Sequence, residues 1–182
     1  MPPLASASVA GDDTDESICI DCGMCCDGTI FSRVELPSPG DVAMLVGTPV
    51  RIEGSEAEPF FSLPCAAFNG CCSIYTVRPS ICRSFRCLLL RRLEKGDVST
   101  EEARRIIRIT RDMRDRAIAS IRQRLAVDDL SFPELQALLA NLPAEEGGAS
   151  PEHMEMLLDA GATSRLISKH FLPKPPRDAT TA

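Results

Sequence analysis

"CIDCGMCC", Cys19 to Cys26, places four of the chain's nine cysteines within eight residues and decides how the N-terminal half can fold. Such a cluster holds disulfides, a redox thiol pair or a metal. The chain's start, "MPPLASASVAGDDTDES", lacks the basic and apolar regions of a secretory leader. The longest apolar run, near Cys87–Leu90, is far short of the roughly 20 residues a bilayer span requires. The expected compartment is therefore the cytoplasm, where thiols stay reduced, and an odd number of cysteines fits a disulfide framework poorly. A Cys-x-x-Cys redox motif wants a helix start after a strand. Here the cluster follows a small, polar, acidic stretch over residues 1–17, read as a disordered arm. Metal binding becomes the leading reading, with a redox-active thiol or copper-handling role behind it.

Cys19, Cys22 and Cys25 form a Cys-x2-Cys-x2-Cys run, and two intervening residues let consecutive thiolates turn onto one ion or cluster. Gly23 permits the tight turn this needs. Side chains on adjacent residues diverge, so Cys25 and Cys26 are not expected to meet the same zinc; one of them serves a second centre or none. Downstream, "PCAAFNGCCSIYTVRPSICRSFRC" adds Cys65, Cys71, Cys72, Cys82 and Cys87, whose gaps of six, one, ten and five positions repeat no two-residue knuckle. Together the thiolates outnumber one tetrahedral site. Two four-thiolate sites, a joined two-metal site, and one iron–sulfur cluster with spare thiols all fit. Arg78, Arg83 and Arg86 lie among these cysteines and either offset thiolate charge or pair with Asp21, Asp27 or solvent.

At 182 residues and 44% hydrophobic, the chain is one domain in size with material for a core, and its 4% aromatic content favours Leu, Ile, Val and Ala on helices. The expected fold is α+β, predominantly α, with a short strand or hairpin in the cysteine-rich half and helices beyond it. Ser38-Pro39 predicts a helix over 39–46. "PVRI" reads as a short strand, and "CSIYTV", after the Asn69-Gly70 turn, as a strand or hairpin arm. A helix is expected from Arg83 to Gly96. Ser99 with Glu102 is a capping box opening a long amphipathic helix, its apolar stripe at Ala103, Ile107, Thr110, Met113, Ala117, Ile121 and Leu125. Ser131 with Glu134 starts the next helix. Ser150-Pro151 starts another, which Gly161 is expected to stop, and "TSRLISKHFL" reads as a last one. The implied organisation is an arm over 1–17, a cysteine-cluster region over 18–96, a helical region over 97–172 and a disordered tail over 173–182.

A net charge of −6 argues against a nucleic-acid binder. Between Arg91 and Arg124, eleven basic residues face six acidic ones. If the chain has a protein partner, the arginine-rich face of the 100–126 helix is where it is expected. His153 and His170 stand alone on predicted helices and read as helical histidines rather than ligands.

The motifs "CIDCGMCC", Pro64-Cys65 and "CSIYTVRPSICRSFRC" together resemble the CxxCxxCC family, the YkgJ-type cysteine-cluster proteins described as zinc- or iron-chelating. The resemblance covers residues 19 to about 95 and implies that Cys19, Cys22, Cys25, Cys26, Cys65, Cys72, Cys82 and Cys87 chelate zinc or iron, with an iron–sulfur cluster as one form. Cys71 falls outside the pattern. A similar motif occurs in flagellin lysine-N-methylases, which adds an enzyme as the alternative, but this chain shows no Gly-rich strand–turn–helix suited to a methyl donor. Copper(I) also suits soft thiolates.

Overall fold

Four serines that read as helix starts occupy N-caps in the computed structural model, which describes residues 15–128, 130–142 and 150–173. Ser38 Oγ accepts the amide of Asp41 at 3.2 Å and opens α2, Pro39–Met44. Ser99 Oγ accepts from Glu102 N at 3.1 Å and opens the long helix α5, Thr100–Leu125. Ser131 and Glu134 form a reciprocal capping box at the start of α6, Phe132–Ala140. Ser150 Oγ accepts from His153 N at 3.1 Å and opens α7, Pro151–His170. Each cap satisfies an amide that has no partner inside its helix. The expected arm up to residue 14 and the tail from residue 174 lie outside the described residues.

Among the described residues 55% are helical, with a small antiparallel sheet in the N-terminal half. That sheet has the order β1-β3-β2, with β1 at Arg33–Glu35, β2 at Glu53–Gly54 and β3 at Pro59–Ser62. Val34 pairs with Phe61, and Glu53 with Phe60. The strands do not fall where the sequence suggested. "PVRI" lies just before β2, and "CSIYTV" holds only a bridge from Phe68 to Cys72 and a 3-10 turn at Tyr75–Val77. A helical turn shortens the path between Cys72 and Cys82, both of which face one cavity.

Three helices also differ. The first, α1 at Asp15–Cys22, was not anticipated; it packs on α4, at Leu88–Glu94, and on α5, and buries Ile18. The helix expected from Arg83 to Gly96 is broken into α3, Ser80–Ser84, and α4, Leu88–Glu94. Extended backbone at Phe85 and Cys87 makes the break, and Cys87 becomes the N-cap of α4, its Sγ accepting the Leu90 amide at 3.4 Å. Finally, α7 runs straight through Gly161. A mid-helix glycine costs about 1 kcal/mol against alanine, but Met156, Ala160, Thr163 and Ile167 bury one continuous stripe across it. That burial outweighs the glycine.

Two hydrophobic cores result. The main one joins α1, α4, α5, α6 and α7 through residues such as Leu89, Ile121, Phe132, Leu135 and Phe171. A smaller one gathers Leu36, Leu45, Val50, Phe61, Leu63 and Ala67 beneath the sheet.

Candidate metal centre

The eight cysteines of the two motifs reach one place from six segments. Cys19 and Cys22 stand one turn apart on α1, and Cys25 and Cys26 lie in the turn that follows. That turn requires Gly23, whose φ is +65° and whose hydrogen faces the Phe68 ring; a Cβ there would come within 2.3 Å of it. Cys65 follows β3, its amide donating to Cys26 O at 2.8 Å, and Cys72 sits in the bridge to Phe68. Cys82 is carried by α3, which starts directly after Pro79, and Cys87 caps α4. All eight line a cavity of about 490 Å³. Cys71 does not line it and is exposed.

Within that cavity the thiols sort into two sets. Cys25 feels Cys22 and Cys87 most, then Cys26 and Cys19, and Cys22 feels Cys87 and Cys19. Cys26 feels Cys72, Cys65 and Cys82, while Cys82 feels Cys65 and Cys72. The sets meet at the Cys25–Cys26 pair. They also belong to different cores: Cys22, Cys25 and Cys87 pack against the main core, Cys65 and Cys82 against the smaller one.

Burial dominates the acidity of these thiols, because a thiolate in an apolar cavity has lost its hydration. It pushes Cys22 up to about 12, despite an amide from Met24 that favours the thiolate. Cys25 is pushed well above its ordinary value by burial and then by neighbouring thiols. Cys26 rises to about 12 for the same reasons, with Cys72 its strongest neighbour. Cys82 rises to about 11, with Arg78 pulling the other way. Burial also raises Cys65 and Cys87, opposed by amides of Ala67 at the first and of Leu90 and Leu89 at the second. Amides aimed at sulfur and thiols that ionise only against a cation are the chemistry of a thiolate metal site. Among the described residues, no three histidine, cysteine, aspartate or glutamate side chains already stand in metal-holding geometry. The donor set fits a zinc- or iron-type ion, and closing it requires the thiols to move inward.

The three arginines among the cysteines have separate surroundings. Arg78 lines the cavity and stacks on Tyr75. Arg83 lies beside Asp41 and Met44 Sδ, and Arg86 pairs with Glu94 at 3.1 Å. Asp27 is taken by Arg114 of α5, whose guanidinium also donates to Thr29 Oγ1. Arg114 is 6% exposed and replaces Met113 on the buried stripe of α5. Burial disfavours its charge, but Asp27 and then Asp115 more than offset this and hold it protonated. A basic residue at helical spacing between Thr110 and Ala117 was the available signal for this clamp. His153 Nε2 lies 3.2 Å from Leu139 O, and neither histidine lines the cavity.

No helix among the described residues is long and apolar enough to cross a membrane. No curated protein and no solved structure gives a match to the chain. Residues 18–103 do match the family model CxxCxxCC, described as "Putative zinc- or iron-chelating domain", and this stretch of the chain is accordingly a CxxCxxCC domain, a metal-binding unit of the zinc or iron type.

Proposed function

We propose that the protein binds zinc or iron at two four-thiolate centres, one formed by Cys19, Cys22, Cys25 and Cys87, the other by Cys26, Cys65, Cys72 and Cys82. What supports this reading is that all eight thiols line one cavity, that Cys22, Cys25 and Cys87 pack against the larger core and Cys65 and Cys82 against the smaller, and that the strongest thiol neighbours of Cys22, Cys25, Cys26 and Cys82 lie within the same group of four. Adjacent cysteines that cannot share one tetrahedral ion are then both used, each by its own centre. The group bound supplies the positive charge that ionises the thiols. The chain's part is to hold the sulfurs, aim the amides of Met24, Ala67, Leu89 and Leu90 at them, and exclude water with apolar walls. Zinc would make both centres closed and structural, whereas iron, as ions or iron–sulfur clusters, would add electron transfer.

Elemental analysis and an optical spectrum of untagged protein purified without oxygen test this. The expected result is two occupied centres, seen as about two zinc per chain without colour, or as iron with matching sulfide and a brown colour. Cys25→Ser and Cys26→Ser should each lose one centre's content and Cys71→Ser none. A single centre in the parent, or loss of a full centre from Cys71→Ser, would sink the assignment.

A further inference from the structure

Two arginines line the cavity: Arg33, which pairs with Glu35, and Arg78, the candidate countercharge to the thiols. The Arg78 guanidinium carbon lies 3.5 Å from the centroid of the Tyr75 ring, and its Nε is buried without a hydrogen-bond partner. The ring restrains the guanidinium, and among the described residues no carboxylate forms an ion pair with it. Arg86, by contrast, is spent on Glu94 and on the carbonyls of Arg83 and Phe85.

The two sets of thiols differ in what surrounds them. Arg78 is close enough to Cys82 to oppose its neighbouring thiols. Around Cys22, Cys25 and Cys87 the strongest electrostatic neighbours are other thiols, Asp27 and Glu94, all negative when ionised. The carboxylates on both sides already have cations of their own: Asp27, which acts on Cys22 and on Cys26, is held by Arg114, Glu94 pairs with Arg86, and Asp41, which acts on Cys82, lies beside Arg83. Four thiolates on a divalent ion carry a net charge of about −2. Two such centres joined through adjacent residues repel each other, so a nearby guanidinium decides which forms first.

We propose that Arg78 is the countercharge of the Cys26, Cys65, Cys72 and Cys82 set, and that this set takes up metal before the other. Its partnerless Nε–H is the donor available to a thiolate once the set is charged. Arg78 is thus a positioning residue acting through the thiolates. The inference rests on the two-centre reading above.

The test is a titration of cobalt(II) into the reduced, metal-free full chain without oxygen. It is read by the thiolate-to-cobalt absorption band, against a competing chelator. The parent should fill in two steps, the first abolished by Cys26→Ser and the second by Cys25→Ser. Arg78→Gln should weaken the first step about 10- to 100-fold and leave the second unchanged. Arg78→Lys, which keeps the charge, should recover most of that loss. An unaltered first step in Arg78→Gln, an equal loss in both steps, or equal damage from Gln and Lys would overturn the role of Arg78 alone. If Cys25→Ser rather than Cys26→Ser removes the first step, the order of filling is overturned. A parent that takes up one equivalent overturns the two-centre reading and this inference with it.

Discussion

Arg114 grips the cysteine turn from 87 residues away, through Asp27 and Thr29. Thr29 N and Oγ1 in turn donate to Asp27 Oδ1 at 3.0 and 2.6 Å, so one buried guanidinium closes a small polar network beside Cys26. Removing one partner of such a pair leaves a charge stranded in an apolar setting, which costs about 3–5 kcal/mol. Arg114→Met should lower stability to denaturant by about that amount, and adding Asp27→Asn should recover part of it. If the single variant unfolds at the parent's midpoint, the clamp contributes nothing. Asp41 is a second buried anchor. Ser38 Oγ donates to it at 2.7 Å, and Ser80 N and Oγ donate at 2.5 and 3.0 Å, tying α2 to α3. The Ser38 hydroxyl first, and then the Ser80 amide, hold its carboxyl below the ordinary value of 3.8. A folded pKa below the unfolded one means stabilisation that is complete above about pH 5 and lost as pH falls through the folded value. Asp41→Asn should therefore be less stable than the parent at pH 7, with the gap closing below about pH 4 in parallel melting curves. A gap that is constant with pH would exclude the carboxylate as its source. The cysteines of the cavity were legible because clustered thiols stand out by their spacing. Arg114 and Asp41 were not, because what each does depends on residues that only the fold brings near.

At the scale of elements, capping chemistry and apolar period located α2, α5 and α6, since both signals act within a few residues. The misreadings have a shared cause, which is tertiary packing overruling local preference. With only eight residues, α1 is too short to be stable alone, and it persists by burying Ile18 against α4 and α5. The break between α3 and α4 answers to Cys87, whose sulfur faces the cavity instead of continuing a helix. In α7, Gly161 is tolerated rather than required: no atom lies within 4 Å of where its Cβ would stand. Gly161→Ala should therefore stabilise the protein by up to about 1 kcal/mol, seen as a higher melting temperature. A lower melting temperature would mean that this position needs the smaller residue.

For the whole molecule, the organising fact is that the cavity's cysteines are divided between two cores, Cys22, Cys25 and Cys87 packing on one and Cys65 and Cys82 on the other. The smaller core is built from short strands and loops, whereas the larger has α5, α6 and α7 packed on one another. Chelation of the metal should accordingly speed amide hydrogen exchange across residues 19–26 and 65–87 while α5, α6 and α7 stay protected. Equal loss of protection throughout would mean that one cooperative unit depends on the metal. The fold class followed from composition and period, and the divergence of Cys25 and Cys26 from their adjacency; the division into two cores did not, because which apolar residues each segment packs against is decided only by the fold. The contacts that secure the cysteine turns also set an order in time. Arg114 holds Asp27, Phe132 N donates to Gly28 O at 2.8 Å, and Leu88 N donates to Phe171 O at 3.0 Å. A chain emerging from the ribosome presents Cys19 to Cys26 well before Phe171. During synthesis the first thiols leave the ribosome long before the helices that fasten them exist, so the finished site has to wait until α7 has been made.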